Sequence, residues 1–277
     1  GLCLRSRRQH PRATTLGHSM TSSPAKTVGV LGGMGPEATL DFFAKVLAAT
    51  PADRDQDHIH LIIDNNPAVP NRNEAVAGTG PSPAPVLTEM ATRLEHAGAD
   101  FLVMVCNAAH AFQDAIEDAV SCPFVSIIEE TCEAVVERLQ PETSVKVGVL
   151  ASSGCLDAKL YQEALATRNV QAIMPEGSTR DRFMNILYRI KAGDKNVRDD
   201  MKTLAEHLIN QGAQTIIAGC TEVPLILQQD DISVPLINST DVLVARTVTY
   251  ATGEAKLAQR PQKTSTKLVS HTAGGGA

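Results

Sequence analysis

The sequence predicts an α/β fold: two pseudo-symmetric, duplicated α/β lobes with parallel sheets and a cleft between them. Three observations carry this. Short β-branched, apolar runs alternate with amphipathic stretches along the body of the chain, as in parallel sheets covered by helices. An apolar run closed by a cysteine and a polar residue occurs twice, as Phe101-Leu-Val-Met-Val-Cys106-Asn107 and Thr215-Ile-Ile-Ala-Gly-Cys220-Thr221. Finally, landmarks recur in order. Val28-Gly-Val-Leu returns 119 residues on at Val147, Cys106 returns 114 on at Cys220, and Pro123 returns 112 on at Pro235. Two such units place their strand C-termini around one cleft, where open α/β sheets hold ligands.

Each element has a local reason. Thr27 to Leu31 reads as a strand, and Gly32-Gly33-Met34-Gly35 turns the chain into a helix. Pro36 suits that helix's first turn and Glu37 its positive end. Leu40, Phe42, Phe43, Val46 and Leu47 continue it at helical spacing. A strand over 58–63 ends at the turn signal Asp64-Asn-Asn-Pro67, and a long Pro- and Gly-rich loop follows to residue 85. A helix over 85–96 stops at Gly98 before the first cysteine strand, and helix 111–120, strand 123–128 and helix 129–139 come after it. The second half restarts with strand 145–150 and the turn Ala151-Ser-Ser-Gly154, then helix 156–166, strand 170–174 and helices 183–190 and 196–210. After the second cysteine strand come strand 234–238 and a closing helix over 241–250. The expected division is a leader (1–26), a first lobe (27–128 plus 234–256), a second lobe (129–233) and a disordered tail (257–277).

With 277 residues, 43% of them hydrophobic, the chain can build one large core or two ordinary ones. No apolar run approaches membrane-spanning length. The formal charge of −6 becomes −10 once the arginine-rich, acid-free residues 1–19 are set aside. A body this acidic has no general affinity for nucleic acid or an anionic membrane. Residues 1–19 read either as a transit peptide or as an upstream artefact ahead of Met20. Six cysteines without close spacing, in a chain with an ample core, read as reduced cytoplasmic thiols.

Cys106 and Cys220 are the candidate chemistry. A lone cysteine ordinarily packs as a small hydrophobe, but two at equivalent places of a repeat, each followed by polar residues, point to a pair of acid/base groups. A thiol near a helix N-terminus is easier to ionise. Cys3, Cys122, Cys132 and Cys155 lack this setting. Gly33-x-Gly35-x-x-Ala38 matches a loose dinucleotide fingerprint, but the acid it requires about twenty residues on is missing, since Asp64 lies 31 beyond Gly33. His110 stands four residues after Cys106, too isolated a pair to predict a metal. Glu222 reads as a site-lining charge or a solvated loop carboxylate. Arg72 and Lys191 are cations flanking the same region.

Gly-Gly-Met-Gly-Pro-Glu-Ala-Thr (32–39), Cys-Asn-Ala-Ala-His (106–110) and Gly-Cys-Thr-Glu (219–222) together resemble the aspartate/glutamate racemase family, in its aspartate racemase-like branch. The likeness runs from about Val28 to Tyr250 and implies a cofactor-independent racemase with two α/β lobes. One thiol removes the α-proton and the other returns a proton to the opposite face. By the same resemblance Arg72 and Lys191 serve the acidic groups of a small dicarboxylic amino acid, aspartate first and glutamate next. Met34, Asn107, Ala108, Thr221 and Glu222 line the substrate site, and the protein is a homodimer. Position 108 departs from the family's usual Thr, which removes one hydroxyl from the site. The alternatives are a related racemase or isomerase of another substrate, and a weakly catalytic protein that binds dicarboxylic amino acids.

Overall fold

A computed structural model describes residues 25–139 and 145–257; most of the expected leader and most of the expected tail lie outside them. In chain order the first half runs β1 (Val28–Gly32), α1 (Pro36–Ala49), β2 (Leu61–Asn65), α2 (Arg72–Val76), α3 (Ala84–His96), β3 (Phe101–Met104), α4 (Gln113–Ala119), β4 (Phe124–Val125) and α5 (Ile127–Leu139). The second half runs β5 (Val145–Leu150), α6 (Ser153–Asp157), α7 (Leu160–Ala166), β6 (Val170–Ile173), α8 (Gly177–Lys191), α9 (Arg198–Asn210), β7 (Thr215–Ala218), β8 (Leu236–Asn238) and α10 (Ser239–Thr252).

The strands form two four-stranded sheets of the same order, β2-β1-β3-β4 and β6-β5-β7-β8, and every pairing is parallel. The duplication extends to register. Val28 stands opposite Phe101 as Val147 stands opposite Thr215, and Leu102 opposite Phe124 as Ile216 opposite Leu236. Even the proline landmarks act alike: the Pro123 carbonyl accepts from Leu102 N–H and the Pro235 carbonyl from Ile216 N–H, both at 2.9 Å. The central strands β1, β3 and β7 are buried throughout and β5 nearly so, as parallel strands covered on both faces must be.

This register corrects one expected boundary. Segment 234–256 does not go as a whole to the first lobe, because β8 completes the second sheet beside β7. Only α10 crosses back, packing on α1 and α5. The helix boundaries differ in instructive ways. The long loop after residue 70 contains α2, nucleated where the Asn71 side chain accepts from Asn73 N–H at 3.0 Å. Helix 156–166 is broken into α6 and α7 at Lys159, whose φ of 55° is left-handed. The strand expected over 123–128 stops at Val125, because Ile127 already begins α5.

Candidate active site

The backbone delivers the two cysteines identically. Beyond β3, Val105 N–H donates to the Leu31 carbonyl at 3.0 Å, and beyond β7, Gly219 N–H donates to the Leu150 carbonyl at 2.9 Å. Each cysteine therefore stands one residue past the last rung of its central strand. Both are nearly buried, Cys106 6% and Cys220 9% exposed.

One cavity between the sheets gathers all nine residues named from the sequence: Met34, Arg72, Cys106, Asn107, Ala108, Lys191, Cys220, Thr221 and Glu222. It is narrow, with a volume of about 30 Å³. Sequence reasoning missed five lining residues: Asn73, Ser152, Met184, Leu187 and Tyr188. Three of these lie on α8 at positions 7, 4 and 3 before Lys191, so one helical face walls the cavity. That spacing was the available signal. Asn73 adjoins Arg72, and its Oδ1 accepts Gly154 N–H at 2.8 Å, tying α2 to α6.

The glycine-rich loop forms the opposite wall. Gly33 has a φ of +93°, and a Cβ there would lie 2.4–2.5 Å from the Asn66 backbone, so only glycine fits. Its N–H is spent on Thr39 Oγ1 at 2.9 Å. A Cβ on Gly35 would stand 3.7 Å from Glu222 Oε1 and 3.9 Å from Lys191 Nζ, so this loop closes over a charged pair from the other sheet. Asp64, the acid weighed for a dinucleotide ribose, is instead bridged to Arg93 at 2.8 Å.

That charged pair defines the electrostatics. Glu222 is 4% exposed. Its Oε1 accepts from Lys191 Nζ, and its Oε2 accepts from the Cys220 thiol at 3.0 Å and from Thr221 Oγ1 at 3.3 Å. Burial, followed by the Glu222 charge, pushes the Cys220 thiol well above its ordinary range, and Lys191 offsets only part of this. Burial lowers the Lys191 ammonium, but the Glu222 carboxylate and its hydrogen bond, with the two cysteine sulfurs, outweigh it, and the group is held above its ordinary value. Beyond the cysteines the chain enters short 3-10 turns, Ala108–Phe112 leading into α4 and Val223–Leu225, before any α-helix. Cys220 is accordingly held as a thiol.

Arg72 makes no ion pair among the described residues; its Nη1 donates to the Val69 and Pro70 carbonyls at 3.0 and 2.8 Å. The rest of the guanidinium remains for a ligand carboxylate. His110, weighed as a metal ligand, has both ring nitrogens engaged. Nδ1 lies 2.8 Å from the Cys106 carbonyl and must donate to it, while Nε2 accepts Ile127 N–H at 3.2 Å. Burial lowers its pKa to about 4, so it is neutral and ties the Cys106 turn to α5.

Asn107, expected to bind substrate, lines the cavity and is also bonded within the protein. Its Oδ1 accepts from the Tyr161 hydroxyl at 2.6 Å, and its Nδ2 donates to Ser239 Oγ at 3.2 Å.

Two thiols at matched strand ends thus share one cavity with Arg72. Residues 31–247 match the Asp/Glu/hydantoin racemase family. The chain belongs to that family. It is 28% identical over 227 residues to the broad specificity amino-acid racemase RacX of Bacillus subtilis, covering 80% of this chain and 96% of that protein. Its fold is similar to that of Picrophilus torridus aspartate racemase, with a TM-score of 0.70 and 27% identity over 84% of this chain and 96% of the other. An aspartate racemase homologue from Pyrococcus horikoshii shares the fold with a TM-score of 0.65 at 24% identity, over 82% of this chain and 99% of the other.

Proposed function

We propose that this racemase-family member is a cofactor-independent amino-acid racemase that inverts aspartate by two-base proton transfer between Cys106 and Cys220. The observation that carries the reading is their placement at equivalent ends of two sheets, lining one cavity. Inversion needs a base on one face of the α-carbon and an acid on the other. The thiolate of Cys106 takes the α-proton, and the Cys220 thiol gives its proton to the opposite face. In the reverse direction the roles exchange.

Arg72 receives the α-carboxylate and draws off charge as the carbanion forms. Glu222 receives the α-ammonium, and Lys191, which retains further N–H donors, serves the side-chain carboxylate. The narrowness of the cavity favours a compact substrate. A second reading has its own support: Lys191 is already countered by Glu222, and Met184, Leu187 and Tyr188 give α8 a largely apolar wall. Those features suit a neutral side chain, in line with the broad specificity named for the Bacillus subtilis relative.

Incubation of the purified protein with L-aspartate, L-glutamate and neutral amino acids, followed by chiral chromatography without added pyridoxal phosphate, tests both readings. D-aspartate formed fastest supports the first. A faster neutral substrate selects the second, and no inversion of any of them refutes the assignment.

The proposed active unit is a cytoplasmic homodimer. The free thiols among the described residues suit a reducing compartment. Leu40, Phe43 and Leu47 are 67%, 36% and 41% exposed on one stripe of α1, as an apolar contact between copies would require. Light scattering of the protein and of Leu40→Glu tests the dimer; a monomeric parent protein refutes it.

A further inference from the structure

Between the two cysteine loops lies a buried polar relay that the proton-transfer scheme does not use. Asn107 follows Cys106 directly, and its amide oxygen accepts from the Tyr161 hydroxyl at 2.6 Å. Its amide nitrogen donates to Ser239 Oγ at 3.2 Å, and that hydroxyl donates to the Ala218 carbonyl at 2.8 Å. Ala218 is the last residue of β7, two before Cys220. Tyr161 also touches the second loop directly. A Cβ added to Gly219 would stand 2.8 Å from its ring, so glycine is what lets the ring lie against the residue before Cys220. Tyr161 and Ser239 are both fully buried. In so dry a place each hydrogen bond is stiff, and losing one leaves an orphaned polar group.

The relay is absent from the other side of the duplication. The offset of 119 residues that relates β1 to β5 carries Tyr161 onto Phe42, and the offset of 112 that relates β4 to β8 carries Ser239 onto Ile127. Both counterparts are buried and apolar. Packing alone would be served by the apolar version. The polar version adds a fixed, directional link between one thiol's loop and the other's.

We propose that Tyr161 and Ser239 are positioning residues that set Cys106 and Cys220 in register through Asn107. The proposal rests on the two-thiol reading. A misplaced pair can still exchange an α-proton on one face, because that needs one thiol; inversion needs both, aligned on one carbon.

The test is Tyr161→Phe and Ser239→Ala, each assayed in D₂O with L-aspartate, or with the best substrate of the panel, reading α-proton exchange by NMR and inversion by chiral chromatography on the same sample. Tyr161→Phe is expected to lower kcat for inversion by about 10- to 100-fold with KM within about twofold. The ratio of exchange to inversion rises several-fold. Ser239→Ala, which also serves if Tyr161→Phe does not fold, shifts the ratio in the same direction by less. Exchange and inversion falling in parallel would show a merely structural role and overturn the proposal, as would no change in either variant. Inversion persisting in Cys106→Ser or Cys220→Ser would instead overturn the two-thiol reading, so the two failures are distinguishable.

Discussion

Cys106 and Cys220 occupy the same place in two copies of one unit, yet their neighbourhoods differ in kind. Beside Cys220 stands a buried carboxylate, Glu222, bonded to the thiol and balanced by Lys191. Next to Cys106 along the chain stand neutral groups, the Asn107 amide, the Ala108 methyl and, on its own carbonyl, the neutral His110 ring, while the Lys191 charge reaches both thiols. In the proposed reaction the duplication supplies the placement of two groups around one carbon, and the divergence of their neighbours supplies an order, with Cys220 kept protonated to donate. A symmetric pair would leave that order unset.

The largest test removes one half of the comparison. Cys106→Ser or Cys220→Ser should lower kcat for racemisation at least about 10³-fold, since a serine hydroxyl cannot ionise near neutral pH to take its turn as base. A steady-state chiral assay checks this, and full activity in either variant would refute the pairing.

The neutral side of the comparison has a stability signature. Burial lowers the folded-state pKa of His110 from 6.5 to about 4. Its contribution is therefore fully present above pH 6.5 and is lost as the pH falls towards about 4, because the unfolded chain takes up the proton first. The loss should be roughly 3 kcal/mol. Urea unfolding at pH 7 and pH 4 should show it in the parent protein and not in His110→Gln.

Arg72→Ala removes the cation proposed to hold the α-carboxylate between the two thiols. It should raise KM by about 10- to 100-fold, with a smaller effect on kcat, if the α-carboxylate binds there. Unchanged KM would move that carboxylate elsewhere. The smallest and sharpest test erases the charge difference between the thiols. In Glu222→Gln the negative charge that raises Cys220 is gone while Lys191 remains, so the Cys220 pKa falls. The pH profile of kcat/KM in the direction that uses Cys220 as base should move to lower pH, with less movement in the opposite direction.

Much of this was legible in the sequence for physical reasons. Parallel strands buried on both faces read as continuous apolar runs, and the three repeated landmarks fixed the equivalent strands. The cysteines were legible because each ends its run at a strand's C-terminal end. What stayed hidden depends on distance along the chain or on local breaks without a signal. The internal partners of Asn107 were hidden because they lie 54 and 132 residues away, at Tyr161 and Ser239. In the sequence Met184 and Tyr188 are only part of a helix, and their spacing before Lys191 is the one signal that they share its face of the cavity. No glycine or asparagine marks the break at Lys159. The ionisation state of Cys220 depended on a burial that no spacing shows.

The most direct test of the central claim is the isotopic content of both enantiomers early in a reaction of L-aspartate, or the best substrate found, in D₂O. Two thiols on opposite faces predict a D-product carrying deuterium at the α-carbon from the first turnovers, while the remaining L-substrate stays protonated. Protium retained in the D-product, together with deuterium entering the L-substrate at a comparable rate, would mean that one group serves both faces and would contradict the account.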